Sequence, residues 1–268
     1  MFEALSYGFV QRAIISGAIL AVYSGLISVF VVLRRISFLG SGIAHAAFGG
    51  VAIGFLLGIN PLLSALLYSL IVSYGIEVVS TKGRLAEDTA IGIFFTASMA
   101  LGVVLIGLSG RYNVDLFSYL FGSILAITEE EAIAGSIVLF LLLLLTVLIS
   151  KELYLVTFNE ELAFVSGLKV RTVKALFLLG MAIAIVLGIK LVGIILISAL
   201  LVIPGATAHL ITKRFLRMVL ISCFIAVFSV VSGIFLSFSL NLATGGTITL
   251  LLTASFFCGL ALSLFRRR

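Results

Sequence analysis

The sequence predicts an all-α polytopic membrane protein with eight or nine transmembrane helices. Hydrophobic residues make up 62% of its 268 residues and charged residues only 10%, whereas soluble domains average about 45–50% and about 25%. The apolar runs are continuous and reach about 20 residues, the length that crosses a bilayer as a helix. Such runs argue against a β-barrel, whose strands alternate apolar and polar residues.

The first four predicted spans are separated by basic residues, a turn and an acidic helix start. The first span ends at Arg34-Arg35. The third begins at Asn60-Pro61, because Pro suits the first position of a helix. The fourth begins after Glu87-Asp88, whose negative charges suit a helix N-terminus. These four spans are 8–33, 38–59, 62–80 and 89–108.

The second half of the chain contains five further spans and two irregular stretches. The apolar stretch 116–127 is too short to cross a bilayer, which indicates a re-entrant or surface segment. Thr128 followed by Glu129–Glu131 is typical of a helix start. The polar stretch 151–174 is predicted to be a loop that carries a short helix. The five spans are 132–150, 175–189, 191–211, 219–240 and 247–265.

Basic residues predict the orientation of these spans. If Arg34-Arg35 is cytoplasmic and the spans alternate, only Arg12, Arg111 and Lys190 of the 17 basic residues lie on the other side. This bias is typical of cytoplasmic loops, so the C-terminus is predicted to be cytoplasmic. It also explains the net charge of +6 without nucleic-acid binding. Because no linker interrupts the chain, we expect residues 1–268 to form one transmembrane domain.

Two intramembrane features are candidates for function. Ser41 and His45 are four residues apart, so they share one face of the second span. A neutral imidazole is the commonest transition-metal ligand, although a packed helix whose His bonds a backbone carbonyl remains the alternative. Pro204-Gly205 predicts a kink in the seventh span, either gating or purely structural.

The polar stretch 151–174 contains a third candidate, the pattern Glu161-x-Ala163-x-x-x-Gly167. A short amphipathic helix here would either dock on a soluble partner or lie on the bilayer. The sequence has no ATP-binding GxxxxGK[ST], HExxH or GxSxG motif. We therefore expect no enzymatic activity from this chain.

Several motifs in order resemble the transmembrane permease of ABC importers for zinc, manganese or iron(II). They are LRRISFLG at 33–40 leading into AHA at 44–46, EDTAIGI at 87–93, FSYLFG at 117–122 and LLVIPGATA at 200–208. The resemblance covers nearly the whole chain. It implies the fold of the vitamin-B12/metal-chelate (type II) class and a location in the plasma membrane.

The resemblance also implies a set of partners. They are a second copy of the chain, two cytoplasmic ATPase subunits that hydrolyse the ATP, and an extracytoplasmic metal-binding protein. The divalent metal ion would be the substrate, with no cofactor bound by the chain itself. Glu161, Ala163 and Gly167 resemble the segment by which ABC permeases couple to their ATPases.

One departure from the family concerns the metal pathway. The family commonly reads Gly-Asp-x-x-Ser-His where this chain has Gly40-Ser41-Gly42-Ile43-Ala44-His45. The resemblance implies that the Asp and the His contact the metal. Here Ser41 stands at the Asp position and Ala44 at the Ser position, so only His45 of that pair remains, and the Ser41 hydroxyl lacks the charge of a carboxylate. Such a site would bind weakly, which suits an ion that must leave again.

Three other functions are alternatives to this one. The first is an ABC permease for a siderophore or cobalamin. The second is a stand-alone ion-coupled carrier or channel, which should contain paired intramembrane acids, whereas the spans contain only Glu77 near an end. The third is an intramembrane enzyme, which the absence of a clustered nucleophile and base disfavours. Among the metals, zinc, manganese and iron all remain open.

Overall fold

The computed structural model describes residues 8–109, 128–240 and 242–266, and all of its regular structure in these ranges is helical. The helices are α1 (Gly8–Leu33), α2 (Leu39–Leu57), α3 (Pro61–Gly83), α4 (Glu87–Ser109), α5 (Glu129–Leu148), α6 (Ser150–Phe158), α7 (Glu160–Val165), α8 (Val170–Leu200), α9 (Ile203–Ile211), α10 (Phe215–Leu240) and α11 (Thr244–Arg266). Eight helical stretches within the described ranges are long and apolar enough to cross a membrane. The all-α membrane fold is therefore confirmed.

The chain divides into two compact units. The first unit contains α1, most of α5, α8 from Gly188 onwards, and α9, α10 and α11. The second contains α2, α3, α4, α6, α7 and α8 as far as Leu187. The prediction of a single permease domain over residues 1–268 stays a prediction.

In the first unit, α1 packs closely against α9 and α10. A Cβ atom on Gly25 would lie 2.7 Å from the Cα of Cys223, so only glycine permits this crossing of α1 and α10. The hydroxyls of Ser28 and Ser222 both donate to the Gly25 carbonyl, at 2.9 and 2.7 Å. Close packing at small residues and these hydroxyl hydrogen bonds thus hold the helices together. Burial of apolar side chains alone would stabilise the contact little, because lipid tails are equally apolar.

In the second unit, α2 packs against both α3 and α4. A Cβ atom on Gly50 would lie 2.6 Å from the Cα of Ala65 in α3, and one on Gly49 would lie 2.8 Å from the Ser98 carbonyl oxygen in α4. The small residues of α2 therefore permit close helix approach on two sides. The predicted start of α3 is confirmed, because the Asn60 side chain accepts hydrogen bonds from the first turn.

The predicted boundary between spans at Lys190 is wrong. Helix α8 continues through Lys190 and breaks at Gly193, where φ is 83° and ψ is 165°, a conformation open essentially to glycine alone. A Cβ atom on Gly188 would lie 2.7 Å from Cδ1 of Ile197. Because residues nine apart in a straight helix are separated by about 13.5 Å, the chain bends sharply back at Gly193.

Two other irregular regions also bear on the sequence predictions. The stretch 151–174 is not a loop with one short helix: it contains α6, α7 and the first turn of α8. The predicted helix start at Thr128 is confirmed, since Thr128 and Glu131 exchange side-chain and backbone hydrogen bonds as a capping box. The predicted re-entrant segment 116–127 and the motif at 117–122 lie outside the described residues.

Candidate functional site

His45 lies in α2 and is held by a hydrogen bond to its own helix. Its Nδ1 is 2.8 Å from the backbone carbonyl oxygen of Ser41. A carbonyl can only accept, so Nδ1 carries the proton and Nε2 keeps its lone pair. Histidines that bind metals commonly show this arrangement, with the second ring nitrogen donating to a carbonyl.

Helix α4 sets the orientation of the His45 ring from the other side. The Phe95 ring meets the imidazole edge-on, with centroids 4.7 Å apart and an interplanar angle of 61°. His45 and Ser41 are both half-buried, whereas the three residues between them are buried. The two predicted residues thus share a partly open face of α2, but Ser41 supports His45 through its backbone carbonyl.

The described part of the chain contains no group of three or more His, Cys, Asp or Glu side chains that would hold a metal ion. His209, the other histidine, lies near the end of α9 and differs from His45 in the partner of its Nε2. The Lys213 ammonium, which can only donate, is 3.2 Å from its Nε2. The lone pair of His209 is therefore engaged, in contrast to that of His45.

The residues of the Glu-x-Ala-x-x-x-Gly pattern form one capped helical turn, α7. The Asn159 side chain accepts from the backbone N–H of Leu162 at 2.8 Å and so caps the start. At the other end, Gly167 has a φ of 83°. Its N–H bonds the Phe164 carbonyl, and the following N–H bonds the Ala163 carbonyl. This is the Schellman arrangement, which explains why a glycine stands four residues after the alanine.

Helix α7 buries Ala163 completely and presents its other side chains outward. Glu161 is exposed, and the apolar Phe164 and Val165 are 74% and 82% exposed. A small buried residue therefore anchors a turn whose outer surface is both acidic and apolar. Such a surface suits docking into a groove of another protein.

Beside α7 lies an open groove of about 500 Å³. Its wall includes buried Glu77 and exposed Thr81 from the end of α3, Phe164 from α7, and Lys174 from the start of α8. The Lys174 ammonium is 2.5 Å from a Glu160 carboxylate oxygen. Sequence reasoning missed Lys174 because nothing local distinguishes it from the other basic residues of 151–174.

Pro204 and Gly205 lie in the first turn of α9, so Pro204 begins a helix instead of bending one. The break in the chain precedes them, at residues 201–202. A Cβ atom on Gly205 would lie 2.4 Å from the Ser28 carbonyl oxygen, so glycine is required for the contact with α1. Their gating role stays a prediction.

A sequence profile of the ABC 3 transport family matches residues 6–263. The chain belongs to the ABC 3 transport family. It is similar to the manganese transport system membrane protein MntC of Listeria innocua, with 34% identity over 94% of this chain and 90% of the relative. It is also similar to the manganese import system permease protein ScaB of Streptococcus gordonii, with 36% identity over 91% and 87%.

Solved structures agree with this membership. PsaBC from Streptococcus pneumoniae, in complex with Fab, superposes with a TM-score of 0.84 and 31% identity over 97% of this chain and 95% of that one. A metal-chelate type ABC transporter in an inward-facing conformation gives a TM-score of 0.75 at 16% identity, which supports the fold alone. The resemblance to permeases of metal ABC importers and the predicted fold class are confirmed.

Proposed function

We propose that this chain is the permease subunit of an ATP-driven importer of divalent transition metals, with manganese as the favoured ion. The observation that carries the proposal is similarity over more than nine-tenths of the chain to relatives named for manganese transport. A chelate permease or a stand-alone carrier has no comparable support. ATP hydrolysis belongs to a separate subunit in this proposal.

The proposed assembly contains two copies of the permease, two ATPase subunits and an extracytoplasmic metal-binding protein. It lies in the plasma membrane with the permease C-terminus in the cytoplasm. The bias of basic residues supports this orientation. The metal ion is a transported substrate, and the chain needs no cofactor of its own.

Coupling to the ATPase is assigned to α7. Glu161 and the exposed apolar side chains of this helix would occupy a groove on the ATPase, while buried Ala163 and the left-handed Gly167 keep the turn in shape. Binding of ATP then moves α7, and the permease changes the side of the membrane to which its pathway opens.

The ion pathway is assigned to the partly open face of α2. His45 offers Nε2 to the ion, because Nδ1 is committed to the Ser41 carbonyl. One neutral imidazole within a chain gives weak binding, which permits release on the far side. The hydroxyl oxygen of Ser41 adds hard-donor character that suits manganese.

The test is manganese uptake by vesicles that contain the purified permease, its ATPase and its binding protein. His45→Ala should lower uptake at low manganese concentration, whereas His209→Ala, whose ring nitrogen is engaged by Lys213, is the matched control. Glu161→Arg should abolish co-purification of the ATPase. Equal uptake by the two histidine variants would remove His45 from the pathway, and intact ATPase association in Glu161→Arg would refute the assignment of α7.

A further inference from the structure

One lysine joins the starts of three helices in the second unit. Lys174, in the second turn of α8, places its ammonium 2.5 Å from Glu160 and 3.3 Å from Glu87. Glu160 is the first residue of α7, and Glu87 is the first residue of α4. The side chains of Lys174, Glu87 and Glu160 are 13%, 23% and 51% exposed, respectively. This is therefore a partly buried ion triad, not an exposed pair of the kind that contributes little.

The charges in the triad depend on one another. Each carboxylate lies at a helix N-terminus, where the helix dipole favours negative charge. The two carboxylates would nevertheless repel each other without a cation between them. Lys174 therefore holds the start of α7 and the start of α4 at one point.

The groove beside α7 makes this link mechanically important. The space bounded by the end of α3, Phe164 and the first turn of α8 is open over about 500 Å³. Where side chains do not fill the space, packing transmits little displacement. A movement of α7 reaches α4 directly through the ion triad.

Helix α4 in turn contacts the face of α2 that carries His45. The Ile91 side chain fills the notch at Gly42, where a Cβ atom would lie only 2.6 Å from Ile91 Cγ2. One turn further along, Phe95 meets the His45 ring edge-on. The contacts from α7 to His45 are thus continuous: Glu160, Lys174, Glu87, then α4 with Phe95.

We propose that Lys174 is the positioning residue that transmits the movement of α7 to α4 and so to the His45 face of α2. Removing its charge would leave the docking surface of α7 intact but would disconnect it from the pathway. This inference rests on the proposed coupling role of α7. It predicts a defect in the number of metal ions moved per ATP, not in ATPase binding.

The experiment compares variants in the reconstituted transporter with its ATPase and binding protein. Lys174→Met should retain ATPase co-purification and ATP hydrolysis, while manganese uptake per ATP falls by about five-fold or more, the range of typical coupling between sites. Lys174→Arg keeps the charge and should restore most of the uptake. Lys82→Met is the matched control, because Lys82 is an exposed lysine at the end of α3 with no ion pair in the described part of the chain.

Glu160→Gln provides a second variant that does not endanger folding, because the side chain is half exposed. It should lower uptake per ATP in the same direction, and adding it to Lys174→Met should cause no further loss, since both changes break one link. Unchanged uptake per ATP in Lys174→Met, an equal loss in Lys82→Met, or additive losses would each overturn the inference. Failure of the unaltered transporter to move manganese or bind its ATPase would instead refute the proposed function.

Discussion

The contact between α9 and α1 gives a quantitative prediction about Gly205. In Gly205→Ala the new Cβ atom would lie 2.4 Å from the Ser28 carbonyl oxygen, 2.5 Å from its carbon and 2.8 Å from the Val29 nitrogen. All three are backbone atoms, so no side chain can rotate away. Ordinary contact starts at 3.4 Å, which means that α9 must move away from α1 by about 1 Å.

The energetic cost follows from this displacement. Overpacking of a close contact costs about 1–3 kcal/mol. The better helix propensity of alanine returns at most about 1 kcal/mol. Relative to a glycine-to-alanine change without a clash, we therefore expect a loss of about 1–3 kcal/mol, which corresponds to a fall in melting temperature of about 2–12 °C for a chain of this size.

The sequence suggests the assay. The chain has no tryptophan and two cysteines, of which Cys258 is exposed and Cys223 is half-buried against α1. In a Cys258→Ser background, a thiol-reactive fluorophore reports the exposure of Cys223 during heating. The matched control is Gly246→Ala, because Gly246 is also the third residue of its helix but a Cβ atom there meets nothing within 4 Å.

The two substitutions carry a similar propensity gain, so their difference isolates the clash. Gly246→Ala should melt at or slightly above the temperature of the parent protein. If Gly205→Ala has the same melting temperature as Gly246→Ala, the close approach of α9 to α1 is refuted. The same result would leave Gly205 without a packing role against α1.

Two further predictions concern helix ends. Asn60→Ala removes the acceptor that caps α3 at 2.9 and 3.2 Å and should cost about 1 kcal/mol, whereas Asn60→Asp should preserve the melting temperature; equal melting of both variants would contradict the cap. Gly167→Ala forces a side chain onto a residue with a φ of 83°, at a cost of about 1–2 kcal/mol. It should weaken ATPase co-purification, and Gly167→Asn should weaken co-purification less, since Asn tolerates this conformation better.

Much of the fold could be predicted because its signals are local. Continuous hydropathy located the spans, and Asn60-Pro61 and Thr128 located two helix starts that the structure confirms. A capping residue needs only its own first turn, so its effect is readable from four or five neighbouring positions. The ordered motifs likewise indicated the family to which the chain belongs.

The predicted boundary at Lys190 was wrong because it depends on a contact between residues that are far apart in the sequence. A charged residue between two apolar runs usually marks a loop, but Lys190 instead pairs with Glu131 at the start of α5. A partner 59 positions away lets the charge remain on a continuous helix. The break in α8 lies at Gly193 instead, where the backbone φ is positive. This conformation depends on the folded structure and is not evident from the sequence.

The candidate site, like the fold, could be predicted only in part. The sequence singled out His45, Ser41 and the Glu161–Gly167 pattern by residue type and spacing. It did not indicate that Ser41 acts through its carbonyl, that Phe95 meets the imidazole, or that Lys174 joins Glu87 to Glu160. These contacts depend on side chains from different helices.

By itself, the sequence determined the membrane class, the approximate spans, the family and the residue types available for binding an ion. These follow from transfer free energies and capping, which act over a few consecutive residues. Only the tertiary structure decided which glycine faces which helix, which nitrogen of His45 is available, and which carboxylates share Lys174. A small residue permits another helix to approach closely but does not determine which helix does so, because that depends on how distant segments of the chain pack.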